Sequence, residues 1–136
     1  MAESMLETGI KGHGEITVTD SLTAKRFGSG ELEVYATPAM IALAEETALK
    51  SVADRLAPGQ GTVGTRVDIA HLAATPLGMK VRCEMELIEI DRRKLTFYVQ
   101  IFDETDKIGE GTHERFVIDN EKFVKKAEAK ALLVRR

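Results

Sequence analysis

Apolar positions along this chain change period twice. From Tyr35 to Val52, in YATPAMIALAEETALKSV, they recur every three or four residues. At about 100° per residue, Ile41, Ala44, Ala48, Leu49, Val52 and Leu56 gather on one side, while Glu46, Lys50 and Asp54 fall opposite. This predicts one amphipathic helix, with Thr37 as its cap and Pro38 at the first helical position. Before it, a period of two around Ile10, Ile16 and Val18 predicts a strand in GIKGHGEITVT. Leu22 to Phe27 is expected as a short extended piece leading into the loop Gly28-Ser29-Gly30. After the turn cluster Pro58-Gly59-Gln60-Gly61, long strands are expected over Thr62 to Ala74, Lys80 to Asp91, Lys94 to Asp103 and Lys107 to Ile118. Thr75-Pro76-Leu77-Gly78, Asp91-Arg92-Arg93 and Asp103-Glu104-Thr105-Asp106 separate them as turns. Asn120 to Val134, behind an Asp119 cap, reads as a mostly polar terminal helix.

One strand, one long helix and then a meander of long strands make an α+β pattern in which the antiparallel sheet wraps the helix. Such a sheet leaves an edge to be covered, so a homodimer is expected. A chain of 136 residues is large enough for one core and too short for two, so residues 1–136 are expected to form a single domain, with 119–136 as helix and tail. Composition narrows the partners. A net charge of −3 and an aromatic content of 5% with no Trp argue against nucleic acid. Cys83, the only cysteine, alternates with Met79, Val81, Met85 and Leu87 and reads as a small core hydrophobe; no intrachain disulfide is possible. MAESMLETGIKG lacks the apolar run of a signal peptide, and no segment approaches the roughly 20 apolar residues of a membrane span. A cytoplasmic chain without a membrane partner is the expectation.

Three residues stand in chemically odd settings. Glu45 falls within the helix's apolar stripe, where a carboxylate must be paired, protonated or functional. In VGTRVDIAHLAAT, alternation puts Val63, Thr65, Val67, Ile69 and His71 on one face and Gly64, Arg66, Asp68 and Ala70 on the other. If the first face packs on the helix, the His71 imidazole and the Glu45 carboxylate approach each other in a low-dielectric place suited to acid/base chemistry. The plainer readings are a hydrogen-bonded core histidine, a glutamate at the edge of its stripe, and a threonine that only caps. One His, one Glu and one Thr do not make a convincing metal ligand set, so no metal is implied. Near the end of the chain, Phe116 and Ile118 share a face with Ile108, which puts His113 and Arg115 on the solvent side.

The segments EVYATPAMIALAEETALKSV, GQGTVGTRVDIAHLAATPLGMKV and GEGTHERFVIDNEKF resemble the fluoroacetyl-CoA thioesterase family of hot dog fold proteins, over roughly residues 31 to 126. The resemblance implies an acyl-CoA thioesterase that needs no cofactor, coenzyme A being part of the substrate. It implies a catalytic set of Thr37, Glu45 and His71, with the Gly64 backbone N–H binding the thioester oxygen and Arg115 near the ligand. In these roles His71 is base and acid, Glu45 is nucleophile or activator of water, and Thr37 positions by hydrogen bonding. The pattern departs in one place: the family's fluoroacetyl-specific form carries lid phenylalanines just before the helix, where this chain has Gly28-Ser29-Gly30-Glu31-Leu32-Glu33. A general short-chain acyl-CoA thioesterase is therefore the expectation. A non-catalytic acyl-CoA sensor dimer and a hydratase or dehydratase are the alternatives.

Overall fold

The computed structural model describes residues 5–135. In chain order the strands are β1 (Lys11–Thr17), β2 (Gln60–His71), β3 (Lys80–Asp91), β4 (Lys94–Phe102) and β5 (Lys107–Asp119). The helices are α1 (Ala24–Phe27), α2 (Thr37–Val52) and α3 (Asn120–Leu132). The strands form one antiparallel sheet in the order β1-β3-β4-β5-β2, so β1 and β2 are its edges. The sheet curls around α2, which packs on β1, β2 and β3. This is the wrapped-helix α+β layout the sequence pattern predicts.

The core sits between α2 and the inner sheet face. Strict alternation in β3 and β4 buries Val81, Cys83, Met85 and Leu87 against Leu95, Phe97, Val99 and Ile101. Removing any one of these large side chains from water is worth about 1.5–3 kcal/mol. Burial pushes the Cys83 thiol up to about 11, which makes it an inert core residue. The helix face that meets them comprises Ala39, Met40, Leu43, Ala44, Thr47, Ala48 and Val52. This is rotated from the predicted stripe: Ile41 is half-buried, Leu49 is exposed, and Glu45 lies at the boundary. The rotation follows from close approach of helix and sheet. Gly12 on β1 lies under the helix, where a Cβ would come within 2.9 Å of Ser51 Cβ, and only small residues on the helix fit so near a strand.

Besides a register shift in β3 between Leu87 and Glu89, two irregularities reset the alternation of the strands that carry the site. In β2 the register shifts between Gly64 and Arg66, leaving Thr65 as a bulge whose hydroxyl donates to the Glu114 carbonyl. Thr62 and Gly64 therefore face inward before the bulge, and Val67, Ile69 and His71 after it, so Val63 and Thr65 do not share His71's face as alternation predicts. In β5 the register shifts beside Ile108, with Phe102 opposite Lys107 and Ile101 opposite Gly109. That slip exchanges the two faces of the rest of the strand. His113 and Arg115, predicted to be solvated, are buried, and Phe116 is 39% exposed.

Other boundaries move less. Leu22 to Phe27 is not extended: a 3₁₀ turn over Asp20–Leu22 leads into α1, because Thr23 caps it by accepting from the Arg26 N–H. Gly28, at φ 74°, ends it in the left-handed conformation. Strand β2 begins at Gln60 rather than Thr62 and stops at His71 rather than Ala74. At α3, the Asp119 carboxylate accepts from the Lys122 N–H at 3.2 Å, and none of the helix's described residues is buried.

Candidate active site

The first cluster forms where the start of α2 meets the end of β2. Ala36, not Thr37, is the N-cap of α2, with extended backbone and no side-chain cap; Thr37 and Pro38 are already helical. The helix start is held by backbone bonds instead, Tyr35 N–H to Thr75 O at 2.8 Å and Ala36 N–H to Leu22 O at 2.9 Å. These ties release the Thr37 hydroxyl, which lies 2.7 Å from His71 Nδ1. The other ring nitrogen, Nε2, is buried with no hydrogen-bond partner among the described residues. The Tyr35 ring meets the imidazole edge-on, with centroids 6.5 Å apart. Desolvation lowers the His71 pKa below the ordinary imidazole value, partly offset by the Ala73 backbone, so the ring is a neutral base near pH 7. Thr37 and His71 open into a cleft of about 410 Å³ that Ser29, Val34, Tyr35 and Ala73 help to line.

Glu45 belongs to a second cluster, and it does not pair with His71 within one chain. Eight residues of helix, about 12 Å of axis, separate it from Thr37. Its side chain is 45% exposed rather than buried, and its carboxylate lies over Gly64. A Cβ at that position would sit 2.5 Å from Glu45 Oε2, so glycine is what lets the carboxylate approach the strand. The nearest cation is Arg115, whose Nη1 is 3.8 Å from Oε2. Arg115 is held from beneath: Nε donates to Thr62 Oγ1 at 2.9 Å, Nη2 to Thr62 O at 3.0 Å, and Nη1 to His113 Nε2 at 3.2 Å. His113 Nδ1 reaches Arg66 O at 2.8 Å, and its ring stacks on Phe97 with centroids 6.3 Å apart. Burial, and then the neighbouring guanidinium, lower the His113 pKa, while a backbone hydrogen bond to Arg66 opposes them.

Sequence periodicity missed His113 as a functional candidate, because the slip at Ile108 is invisible to a period-two count. The glycines of Ile108-Gly109-Glu110-Gly111 were the available signal, since glycine inside a strand often marks a bulge or a close backbone approach. Among the described residues, no group of three His, Cys, Asp or Glu side chains is arranged to hold a metal ion. A larger cavity of about 690 Å³ lies at the far edge of the sheet, between β1 and the end of α2. Among its ionic groups, His13 pairs with Glu84, Lys50 with Glu46 and Arg55 with Glu7.

The family described as fluoroacetyl-CoA-specific thioesterase matches residues 18–121. The fluoroacetyl-CoA thioesterase of Streptantibioticus cattleyicolor is 43% identical over 98 residues, which cover 72% of this chain and 70% of that protein. The crystal structure of a serine-for-threonine variant of such a fluoroacetyl-CoA enzyme, in complex with acetyl-CoA, superposes with a TM-score of 0.86. It is 34% identical and covers 92% of this chain and 98% of its own. A Thermus thermophilus thioesterase superfamily member superposes at 0.83 with 27% identity, covering 95% of this chain and 94% of its own.

Proposed function

Because the chain belongs to the fluoroacetyl-CoA-specific thioesterase family, it is a hot dog acyl-CoA thioesterase, and we propose that it hydrolyses several short acyl-CoA thioesters without a large preference for the fluorinated one. The observation that carries the chemical reading is the Thr37–His71 contact at 2.7 Å at the cleft wall, with the second imidazole nitrogen buried and unpartnered among the described residues. In this reading His71 takes a proton from the attacking group and returns it to the departing thiolate. The acyl–sulfur bond breaks and the oxygen of water ends on the acyl carbon. Glu45 supplies the carboxylate that attacks the thioester or activates that water, Thr37 holds the imidazole, and the Gly64 N–H receives the developing oxyanion, with Arg115 near the ligand. No cofactor is called for beyond the coenzyme A of the substrate. A cytoplasmic setting belongs to the same reading, supported by the use of a single cysteine that is buried in the core.

The reading needs a second copy of the chain. Glu45 and the Thr37–His71 pair lie at different places along β2, and β2 is an open edge. An antiparallel pairing of two β2 strands about a two-fold axis at Asp68, with the Thr65 bulge taking up one residue in each copy, sets Gly64 of one copy opposite His71 of the other. Each Glu45 carboxylate then faces the other copy's imidazole, and the exposed edge is covered. Mixing inactive His71→Ala and Glu45→Gln chains tests this. With free exchange half the dimers are mixed, each with one intact site, so about a quarter of the activity returns. No recovery after verified exchange means that the site is built within one chain, and the dimeric reading falls.

Selectivity is read from the entrance. Ser29 and Val34 line the cleft, and Leu32, in the stretch between them, is 68% exposed. With Gly28, Ser29 and Gly30 ahead of the helix and no aromatic residue from Gly28 to Val34, larger acyl groups and water are weakly excluded. Acetyl-, fluoroacetyl-, propionyl- and butyryl-CoA are expected to give kcat/KM values within roughly two orders of magnitude of one another. Thiol release from that panel supports the thioesterase reading; reversible water addition without release would mark a hydratase, and binding alone a sensor. An exclusive preference for fluoroacetyl-CoA would overturn the selectivity part.

A further inference from the structure

Beneath the Glu45 carboxylate runs a short chain of hydrogen bonds whose proton positions are forced. The Arg66 carbonyl can only accept, so His113 Nδ1, 2.8 Å away, carries the proton. The neutral ring then has one lone pair left, on Nε2, and the Arg115 Nη1 group donates into it at 3.2 Å. Nε and Nη2 of the same guanidinium are committed to Thr62. Nη1 is thus the nitrogen that His113 orients, and it is also the one 3.8 Å from Glu45 Oε2. We infer that His113 is a positioning residue for thioester hydrolysis, its Nε2 lone pair fixing the rotation of Arg115 so that Nη1 holds the Glu45 carboxylate over Gly64. The inference rests on the reading of Glu45 as the reacting carboxylate.

Three further observations support it. His113 is wholly buried, and an imidazole in a core slot is costly unless both nitrogens are used, as they are here. Its ring plane is set by stacking on Phe97, so the lone pair has one direction. The site is also crowded: a Cβ on Gly64 would lie 3.3 Å from both Arg115 Nη1 and His113 Cε1, as well as against Glu45. The three side chains therefore share one small space, in which a guanidinium free to rotate would displace the carboxylate. A misplacement of about 1 Å at a reacting group lowers turnover by up to roughly 10²-fold.

The test uses two substitutions that separate the two nitrogens. His113→Asn keeps an N–H where Nδ1 meets the Arg66 carbonyl and leaves nothing where Nε2 accepts from Arg115. His113→Gln places an amide oxygen near the Nε2 position. The Asn variant is expected to lose roughly 10- to 100-fold in kcat with KM changed by less than about threefold. The Gln variant is expected to recover most of that loss. Combined with Glu45→Gln, the Asn substitution should add little, because the group it positions is already gone. Wild-type kcat in a folded His113→Asn protein overturns the inference. So does a loss that multiplies in full with that of Glu45→Gln, or a Gln variant that melts normally yet is as slow as the Asn variant. If neither variant folds, the role of His113 is structural and the inference falls. Unchanged turnover in Glu45→Gln alone instead overturns the underlying reading of Glu45.

Discussion

The two ends of strand β2 solve different problems with similar residues. At the His71 end, Thr37 and an imidazole meet beside a cleft, one ring nitrogen is free, and little besides Tyr35 braces the ring. At the Gly64 end, an equally neutral imidazole has both nitrogens committed, and it sits under an arginine whose three nitrogens all have partners. The His71 end carries a ring nitrogen left unsatisfied, as the proposed role of base requires. The buried end carries groups fully satisfied, as a support must be if polar atoms in a core are not to destabilise it. A histidine by itself therefore says nothing about role; the lone pair that remains does.

The largest way to sharpen this contrast is to remove the two groups proposed to react. His71→Ala and Glu45→Gln are each expected to lower kcat for acetyl-CoA by roughly 10² to 10⁴, measured by thiol release, with melting temperature little changed. A folded variant of either that turns over normally would erase the distinction between the two ends. Gly64→Ala is expected next, at roughly 10- to 100-fold in kcat, because its Cβ takes the place of the Glu45 carboxylate. Retained activity there would mean that the carboxylate does its work somewhere other than over Gly64.

Thr37 distinguishes a cap from a positioning group. Since Ala36 is the N-cap and the Thr37 hydroxyl is on His71, Thr37→Val should cost less than about 0.5 kcal/mol of stability while lowering kcat by roughly tenfold. Thr37→Ser should keep most of the activity. A clear loss of melting temperature in Thr37→Val, with normal turnover, would return the residue to a capping role.

The smallest expected effect is a pH dependence. Desolvation depresses the pKa of both His71 and His113. Their unfolded-state values lie near 6.5, so at acid pH the unfolded chain binds more protons than the folded one. Stability is then full above about pH 6.5 and declines as pH falls through that value. Activity should hold to lower pH, falling only as His71 itself protonates, below the ordinary imidazole range. An activity profile that drops at or above pH 6.5 in a protein still folded would remove His71 from the role of base.

Much of the architecture was legible in the order of residues. Period two and tight-turn chemistry placed β3 residue for residue, since Asp91 pairs with Lys94 across a two-residue turn and Arg92 takes a positive φ of 58°. The helix at Thr37 and its wrapping sheet were legible for the same reason: local periodicity records which face must leave water. The three segments that resemble the thioesterase family pointed to Thr37, Glu45 and His71. Only the fold places these in two clusters rather than one.

What periodicity cannot carry is a count of two broken by a single residue. The bulge at Thr65 and the slip at Ile108 depend on how β2 and β5 register against their neighbours, and each exchanges the faces of the strand beyond it. Those slips turn His113 and Arg115 inward and set Gly64 beneath Glu45. Likewise, Thr37 reads as a cap in any local window, and only the distant backbone bonds from Tyr35 to Thr75 and from Ala36 to Leu22 free its hydroxyl for His71. The sequence by itself determined the elements, the core alternation and the chemical types at the site. Tertiary pairing decided which side chains share a face and which lone pairs stay free, because both are set by contacts between residues far apart in the chain.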